Sequence, residues 1–147
     1  MKFHKLITAL ALTLSCSFLV AQQHEVKMLN NGAEGLMVFE PAVLSINPGD
    51  SVVFKATDMS HNSASIAGMI PDGAESWTGA MSQDVTVNFT KEGVYVYQCT
   101  PHSMMAMVGV IKVGAATNLA AVKQKAETQK QSFVMNKERL TAYLSNL

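Results

Sequence analysis

Residues 99–107 read Cys99-Thr100-Pro101-His102-Ser103-Met104-Met105-Ala106-Met107. Two apolar segments flank this run, Val94 to Gln98 before it and Val108 to Val113 after it. Both are rich in β-branched and aromatic residues and read as strands. The run is therefore a loop tied to a sheet at both ends. Cys99 and His102 are three positions apart, and a tight turn through Thr100-Pro101 can aim both at one point. Met107 returns at the far end of the loop. His61 follows another strand-like stretch, Ser51 to Lys55, and can sit at the same end of the molecule.

One thiolate, two imidazoles and one thioether form the donor set of blue-copper electron-transfer sites. Cys99, His61 and His102 would hold the metal in a trigonal plane, with Met107 as a long, weak axial ligand. Soft sulfur donors favour Cu(I), while imidazole also suits Cu(II). Zinc is a poorer fit, because a thioether is not among its usual ligands. Taken singly, each residue has an ordinary explanation. His61 alone reads as a surface histidine, Met107 as one core methionine among ten, and Cys99 with His102 as a nucleophile and its base. The combination points to one copper ion per chain.

Working outward, the region from His24 to Val113 alternates short apolar runs with turn signals. Val26 and Met28 alternate with polar neighbours before Asn30-Asn31-Gly32. Leu36 to Phe39 precedes Pro41, and Val43 to Ile46 precedes Asn47-Pro48-Gly49-Asp50. Val85, Val87 and Phe89 point one way between Thr86 and Asn88. About seven short strands so punctuated predict a mainly β sandwich or barrel. Asp58 to Met81 lacks periodicity and holds the only tryptophan, Trp77. A long irregular stretch in a compact domain is either functional or a surface crossover. Asn62, directly after His61, is placed to hydrogen-bond the Cys99 sulfur or the Thr100 loop.

Beyond Gly114 the composition turns to Ala, Gln, Lys and Glu. Helical spacing predicts one helix over 117–130, capped by Thr117 or Asn118, and a second over about 132–146. Phe133, Lys137, Leu140, Leu144 and Leu147 would share one face of the second helix, with the Lys137 stem along it. Both helices are expected to pack on the sandwich.

The N-terminus begins Met1-Lys2-Phe3-His4-Lys5 and continues with an apolar stretch from Leu6 to Ala21. A basic head, a short apolar middle and a small final residue form a secretory signal pattern. The expected organisation is a signal peptide over 1–21, a β-sandwich over 22–114 and a helical extension over 115–147. Removing 1–21 takes Cys16 away and leaves Cys99 as a lone thiol in an oxidising compartment. It also takes Lys2 and Lys5 from a chain with 11 basic and 11 acidic residues, leaving a formal charge of −2. That balance argues against nucleic acid or an anionic membrane surface as a partner. No stable membrane association is expected, and the chain is expected to act as a monomer.

These residues resemble the pseudoazurins, a family of small blue-copper cupredoxins. The resemblance rests on Met28-Leu29-Asn30 with Gly32-Ala33-Glu34-Gly35, on Met37-Val38-Phe39-Glu40-Pro41-Ala42, and on Asn47-Pro48-Gly49-Asp50. It continues through His61-Asn62, Met69-Ile70-Pro71 with Gly73-Ala74-Glu75, and Cys99-Thr100-Pro101-His102. It implies an eight-stranded, cupredoxin-like Greek-key β-sandwich with two C-terminal α-helices. It also implies His61, Cys99, His102 and Met107 as copper ligands, with His102 as the partly exposed one through which electrons leave. The implied compartment is the periplasm, and the implied function is one-electron transfer to redox partner proteins, such as copper nitrite reductase, that dock transiently around His102. Asn31, Met59 and Gln98 stand where the family commonly carries lysine, so electrostatic steering should be weaker here. Met37, Met59, Pro101, Met104, Met105 and Trp77 are candidates for an apolar docking patch instead. Two other functions remain open at this point: copper storage or delivery, suggested by Met104, Met105 and Met107, and a thiol hydrolase using Cys99 and His102.

Overall fold

The computed structural model of the chain describes residues 20–147. The expected signal peptide lies outside these residues except for its last two. Eight strands, β1 to β8, form two four-stranded sheets: β1 Gln23–Gly32, β2 Gly35–Glu40, β3 Val43–Ile46, β4 Ser51–Lys55, β5 Ala64–Ser65, β6 Val85–Asn88, β7 Gly93–Gln98 and β8 Val108–Val113. The first sheet runs β2-β1-β4-β6 and the second β3-β8-β7-β5. Two contacts are parallel, β1 with β4 and β3 with β8, and the other strand pairs are antiparallel. The helices α1 (Leu119–Gln129) and α2 (Arg139–Ser145) follow. Among the described residues no helix is long and apolar enough to cross a membrane.

Strand periodicity explains how one sheet serves two cores. Successive side chains of a strand point to opposite faces. In β7, Val94 and Val96 face the helices, where they pack with Val108, Val110, Val122, Ala126, Phe133, Leu140 and Leu144. Tyr95 and Tyr97, and Cys99 just past the strand, face the other sheet and pack with Val26, Met28, Phe39, Phe54 and Phe89. Met107, Ile111 and Val113 lie in that same inter-sheet core. Cys99 and Met107 thus enter one space from neighbouring strands because their positions share a parity with the inward residues. Each fully buried aliphatic or aromatic side chain contributes about 1.5–3 kcal/mol.

The expectation of two helices against the sandwich holds, with two changes. The second helix begins at Arg139, not near Ser132. Residues 130–132 form a 3₁₀ turn, and the chain then leaves helical geometry. The amides of Val134 and Met135 both donate to the Met104 carbonyl, at 2.7 and 3.4 Å. Asn136 takes a left-handed backbone conformation at φ 50°. These bonds to the loop 99–107 replace the i−4 bonds a helix would need. Lys137 is exposed rather than laid along the core. The second change concerns capping. Asn118 occupies the N-cap position of α1 but makes no capping bond with its side chain. Its Oδ1 accepts the Val94 amide at 2.7 Å, and its Nδ2 donates to the Val94 carbonyl at 2.9 Å. β5 pairs β7 only at Tyr97 and Gln98, and the Asn118 amide satisfies the edge of β7 that β5 leaves open.

Candidate metal centre

The loop between β7 and β8 is closed at its base by the Cys99 amide, which donates to the Met107 carbonyl at 2.9 Å. The His102 amide donates to the Cys99 carbonyl at 3.2 Å, making the turn that carries both side chains to one side. His61 comes from the long irregular segment. That segment is a frame for the site: Ser82 N donates to the His61 carbonyl at 2.7 Å, and Gly79 N to the Ser63 carbonyl at 2.8 Å. Trp77 Nε1 donates to Ser63 Oγ at 3.0 Å.

Three donor atoms converge. Cys99 Sγ lies 3.6 Å from His61 Nδ1 and 3.3 Å from His102 Nδ1, and the two ring nitrogens are 3.1 Å apart. The centre of that triangle is about 2 Å from each atom, the length of a metal–nitrogen bond. Protons on all three would collide there, so the cluster fits a cation. The residues therefore suit the soft metal expected from the sequence. Met107 is fully buried in the same core as Cys99.

The surroundings prepare His61 to be a ligand. Its Nε2 donates to Asn30 Oδ1 at 2.9 Å, which leaves the Nδ1 lone pair facing the cluster. Asn30 is itself fixed, because its amide donates to Asp58 Oδ2 at 2.6 Å. Burial pushes the His61 imidazole towards the neutral form, and nearby His102 pushes the same way, against a smaller opposing pull from Asp58. Burial raises the Cys99 thiol above its ordinary value, while the backbone N–H groups of Asn62 and His102 act in the opposite sense. A cation supplies the missing stabilisation of the thiolate.

Asn62 ties the two ligand-bearing segments together. Its Oδ1 accepts the Thr100 amide at 2.8 Å, and its Nδ2 donates to Thr100 Oγ1 and the Gly79 carbonyl, each at 3.2 Å. Cys99 and His61 are inaccessible to solvent, and His102 is half-buried. Of the residues expected to form an apolar patch, Met59 and Met104 are 69% and 61% exposed, Pro101 is exposed, and Met37 and Met105 are half-buried. Trp77 is different. It stacks on Phe54 at 5.8 Å and meets Phe89 edge-on at 5.7 Å, as part of the inter-sheet core.

Sequence reasoning missed two residues. Asn30 was visible only as part of a family string. Arg139 offered a plainer signal, being the sole arginine in the chain. Its Nη1 donates to the Met37 and Ala106 carbonyls, both at 3.0 Å, and its Nη2 to the Leu36 carbonyl at 3.3 Å.

Comparison with known proteins agrees with this geometry. The family described as copper binding proteins, plastocyanin/azurin family, matches residues 26–114. A pseudoazurin of Methylorubrum extorquens is 44% identical over 127 residues, covering 84% of this chain and 86% of the relative. A pseudoazurin of Paracoccus pantotrophus is 41% identical over 128 residues, covering 86% and 85%. The crystal structure of pseudoazurin from Methylobacterium extorquens AM1 superposes with a TM-score of 0.74 at 41% identity, covering 84% of this chain and 98% of that one. The fold and the site define a copper-binding cupredoxin, and the chain belongs to the plastocyanin/azurin family and, within it, to the pseudoazurins.

Proposed function

We propose that this protein is a soluble one-electron carrier of the periplasm, with a single type 1 copper bound by His61, Cys99, His102 and Met107. The observation that carries the proposal is the convergence of Cys99 Sγ and two Nδ1 atoms within 3.6 Å of one another, with only His102 reaching towards solvent. When bound, the copper supplies a centre that cycles between Cu(I) and Cu(II). The protein supplies rigidity: the two hydrogen bonds Asn62 donates and the one it accepts, the Cys99–Met107 backbone bond and the Asn30–His61 bond hold the donors in place. Little has to rearrange when the charge changes. His61 and Cys99 are sealed off, so the half-buried His102 imidazole is the route by which the electron leaves.

The partners are redox proteins, an electron donor and a reductase such as copper nitrite reductase. They dock over His102 on a face where Met59, Pro101 and Met104 are exposed. Redox encounters of this kind are small, below about 1,200 Å², and an apolar contact without fixed ion pairs releases quickly. Export is supported by the basic and apolar pattern of residues 1–21, which we read as a signal removed on secretion. The hydrolase alternative conflicts with the burial of Cys99, which no substrate can approach. Copper delivery is a second reading that the three loop methionines keep in play. Transfer of copper to a chelator within seconds would favour it.

The deciding test is the visible spectrum of the protein after addition of Cu(II). An intense sulfur-to-copper charge-transfer band is expected, and it should vanish in Cys99→Ser. A colourless wild-type protein would overturn the assignment.

A further inference from the structure

Three consecutive carbonyls of the ligand loop, those of Met104, Met105 and Ala106, accept hydrogen bonds from one short stretch of the C-terminal region. Val134 N donates to Met104, Asn136 Nδ2 to Met105 at 3.3 Å, and Arg139 Nη1 to Ala106. The next residue is Met107. The same guanidinium holds the carbonyls of Leu36 and Met37 at the start of β2. Met37 and Ala106 are both non-glycine residues in the left-handed region, at φ 50° and 56°. Such a conformation is disfavoured for a residue with a side chain, and it persists only where surrounding contacts enforce it. Here a single Nη1 bonds the carbonyls of both. Ala106 also directs the chain into Met107, since Val108 N bonds back to the Ala106 carbonyl at 3.0 Å and Met107 N to the His102 carbonyl at 3.3 Å.

We propose that residues 134–139 clamp the loop 99–107 and that Arg139 is a positioning residue for Met107, whose thioether would be a ligand of bound copper. Arg139 does not touch the ligand set. It acts through the Ala106 carbonyl, one residue before Met107. A lysine at 139 keeps the charge but lacks the planar fork that reaches Leu36 together with Met37 and Ala106, so it holds the clamp only in part. The α2 helix carries a second tie to the β1–β2 hairpin, the hydrogen bond from Tyr143 Oη to Glu34 Oε2. That tie bypasses the ligand loop, which makes it the natural control for loss of stability alone.

The inference rests on the copper assignment above, and its test separates the two. Copper-loaded wild type, Arg139→Ala, Arg139→Lys and Tyr143→Phe are compared by visible spectrum, redox titration, copper affinity and thermal unfolding. In Arg139→Ala the ratio of the two charge-transfer bands and the midpoint potential should both move, and copper affinity should fall by about tenfold. Arg139→Lys should fall between it and wild type. Tyr143→Phe should unfold at a lower temperature with spectrum and potential unchanged. The inference fails if Arg139→Lys and Arg139→Ala keep the wild-type spectrum and potential while losing stability. It fails equally if Tyr143→Phe moves the spectrum as far as the arginine variants do. Should Arg139→Ala not fold, Arg139→Lys alone decides by the same readouts. A wild type without a charge-transfer band would refute the copper assignment itself, which is a different outcome.

Discussion

Asn62 and Thr100, 38 positions apart, are joined twice: the Thr100 amide donates to Asn62 Oδ1 at 2.8 Å, and Asn62 Nδ2 donates to Thr100 Oγ1 at 3.2 Å. The pair locks the segment carrying His61 to the loop carrying Cys99 and His102. Replacing Asn62 by Ala leaves the Thr100 amide and the Gly79 carbonyl without these partners. A buried group left unpaired costs about 1–3 kcal/mol. Asn62→Ala should therefore lower the unfolding free energy by an amount in that range, and the copper spectrum should broaden as the two segments lose register. Chemical denaturation of the loaded protein, read at the charge-transfer band, checks both.

Met107 is buried beside Cys99 in the inter-sheet core, and leucine has nearly its volume. Met107→Leu should keep the fold and the copper, because Cys99, His61 and His102 remain. Leucine offers no donor, and the three that remain give a low coordination number that suits Cu(I) better than Cu(II), so the reduction potential should rise. Redox titration of the variant gives the sign, and an unmoved potential would remove Met107 from the axial role.

Of the methionines expected to surround His102, Met59 and Met104 are exposed, and neither Met59 nor Asn31 carries a charge. Long-range steering by charge is therefore weak. Electron-transfer rates with a copper nitrite reductase should change less than about twofold as ionic strength rises through the range where the Debye length falls from about 10 to 3 Å. Stopped-flow measurement across a salt series tests this. A steep fall with salt would show that charge, not apolar contact, governs docking. Met104→Lys, by contrast, should introduce a salt dependence absent from the wild type.

Tyr97 is fully buried, its hydroxyl has no partner among the described residues, and it packs over Gly109, where a Cβ would lie 2.3 Å from the phenol oxygen. The two positions are a matched pair in which glycine makes room for the ring. Gly109→Ala forces an overpacked contact and should destabilise by about 1–3 kcal/mol. Tyr97→Phe keeps the ring and removes the unpaired hydroxyl, so its melting temperature should equal or exceed that of wild type. Thermal unfolding of the two variants gives opposite signs.

At the far end of the sandwich, Asp50 is buried and accepts from the amides of Gln22 at 2.8 Å and Asn47 at 2.9 Å, with His24 Nε2 at 3.0 Å. The two backbone amides, then His24, hold its carboxyl below the ordinary value of 3.8. In the unfolded chain Asp50 takes up its proton first as pH falls. Its contribution is thus complete above about pH 4 and is lost as pH drops through the lower folded value. Asp50→Asn should flatten the acid limb of the stability profile, measured by denaturant titration between neutral pH and pH 2.

Much of the molecule is legible in one dimension. Alternation in Val26 and Met28 and in Val85, Val87 and Phe89 marks strands and their inward faces, because a strand has a period of two and water rejects apolar side chains; Val94 to Gln98 and Val108 to Val113 are apolar on both faces and read only as strands. The ligand types and the spacing of Cys99, His102 and Met107 identify the chemistry, because a single loop closed by one backbone bond presents all three. The second helix illustrates the limit. Apolar spacing from Phe133 to Leu147 suggests one continuous helix, yet the chain breaks it to bond the ligand loop at Met104 to Ala106. Asn118 is misread for a similar reason: its side chain serves β7, 24 positions upstream, instead of its own helix.

What the sequence determined alone is therefore local: strand periodicity, the donor set, and the membership that those strings declare. The tertiary structure decided which nitrogen of His61 faces the cluster, through Asn30, and which ligand is left near solvent. It also decided that Arg139 grips carbonyls 102 and 33 positions away. Backbone carbonyls carry no signature in the sequence, so a hydrogen bond to one of them across such a separation becomes visible only when the chain is folded.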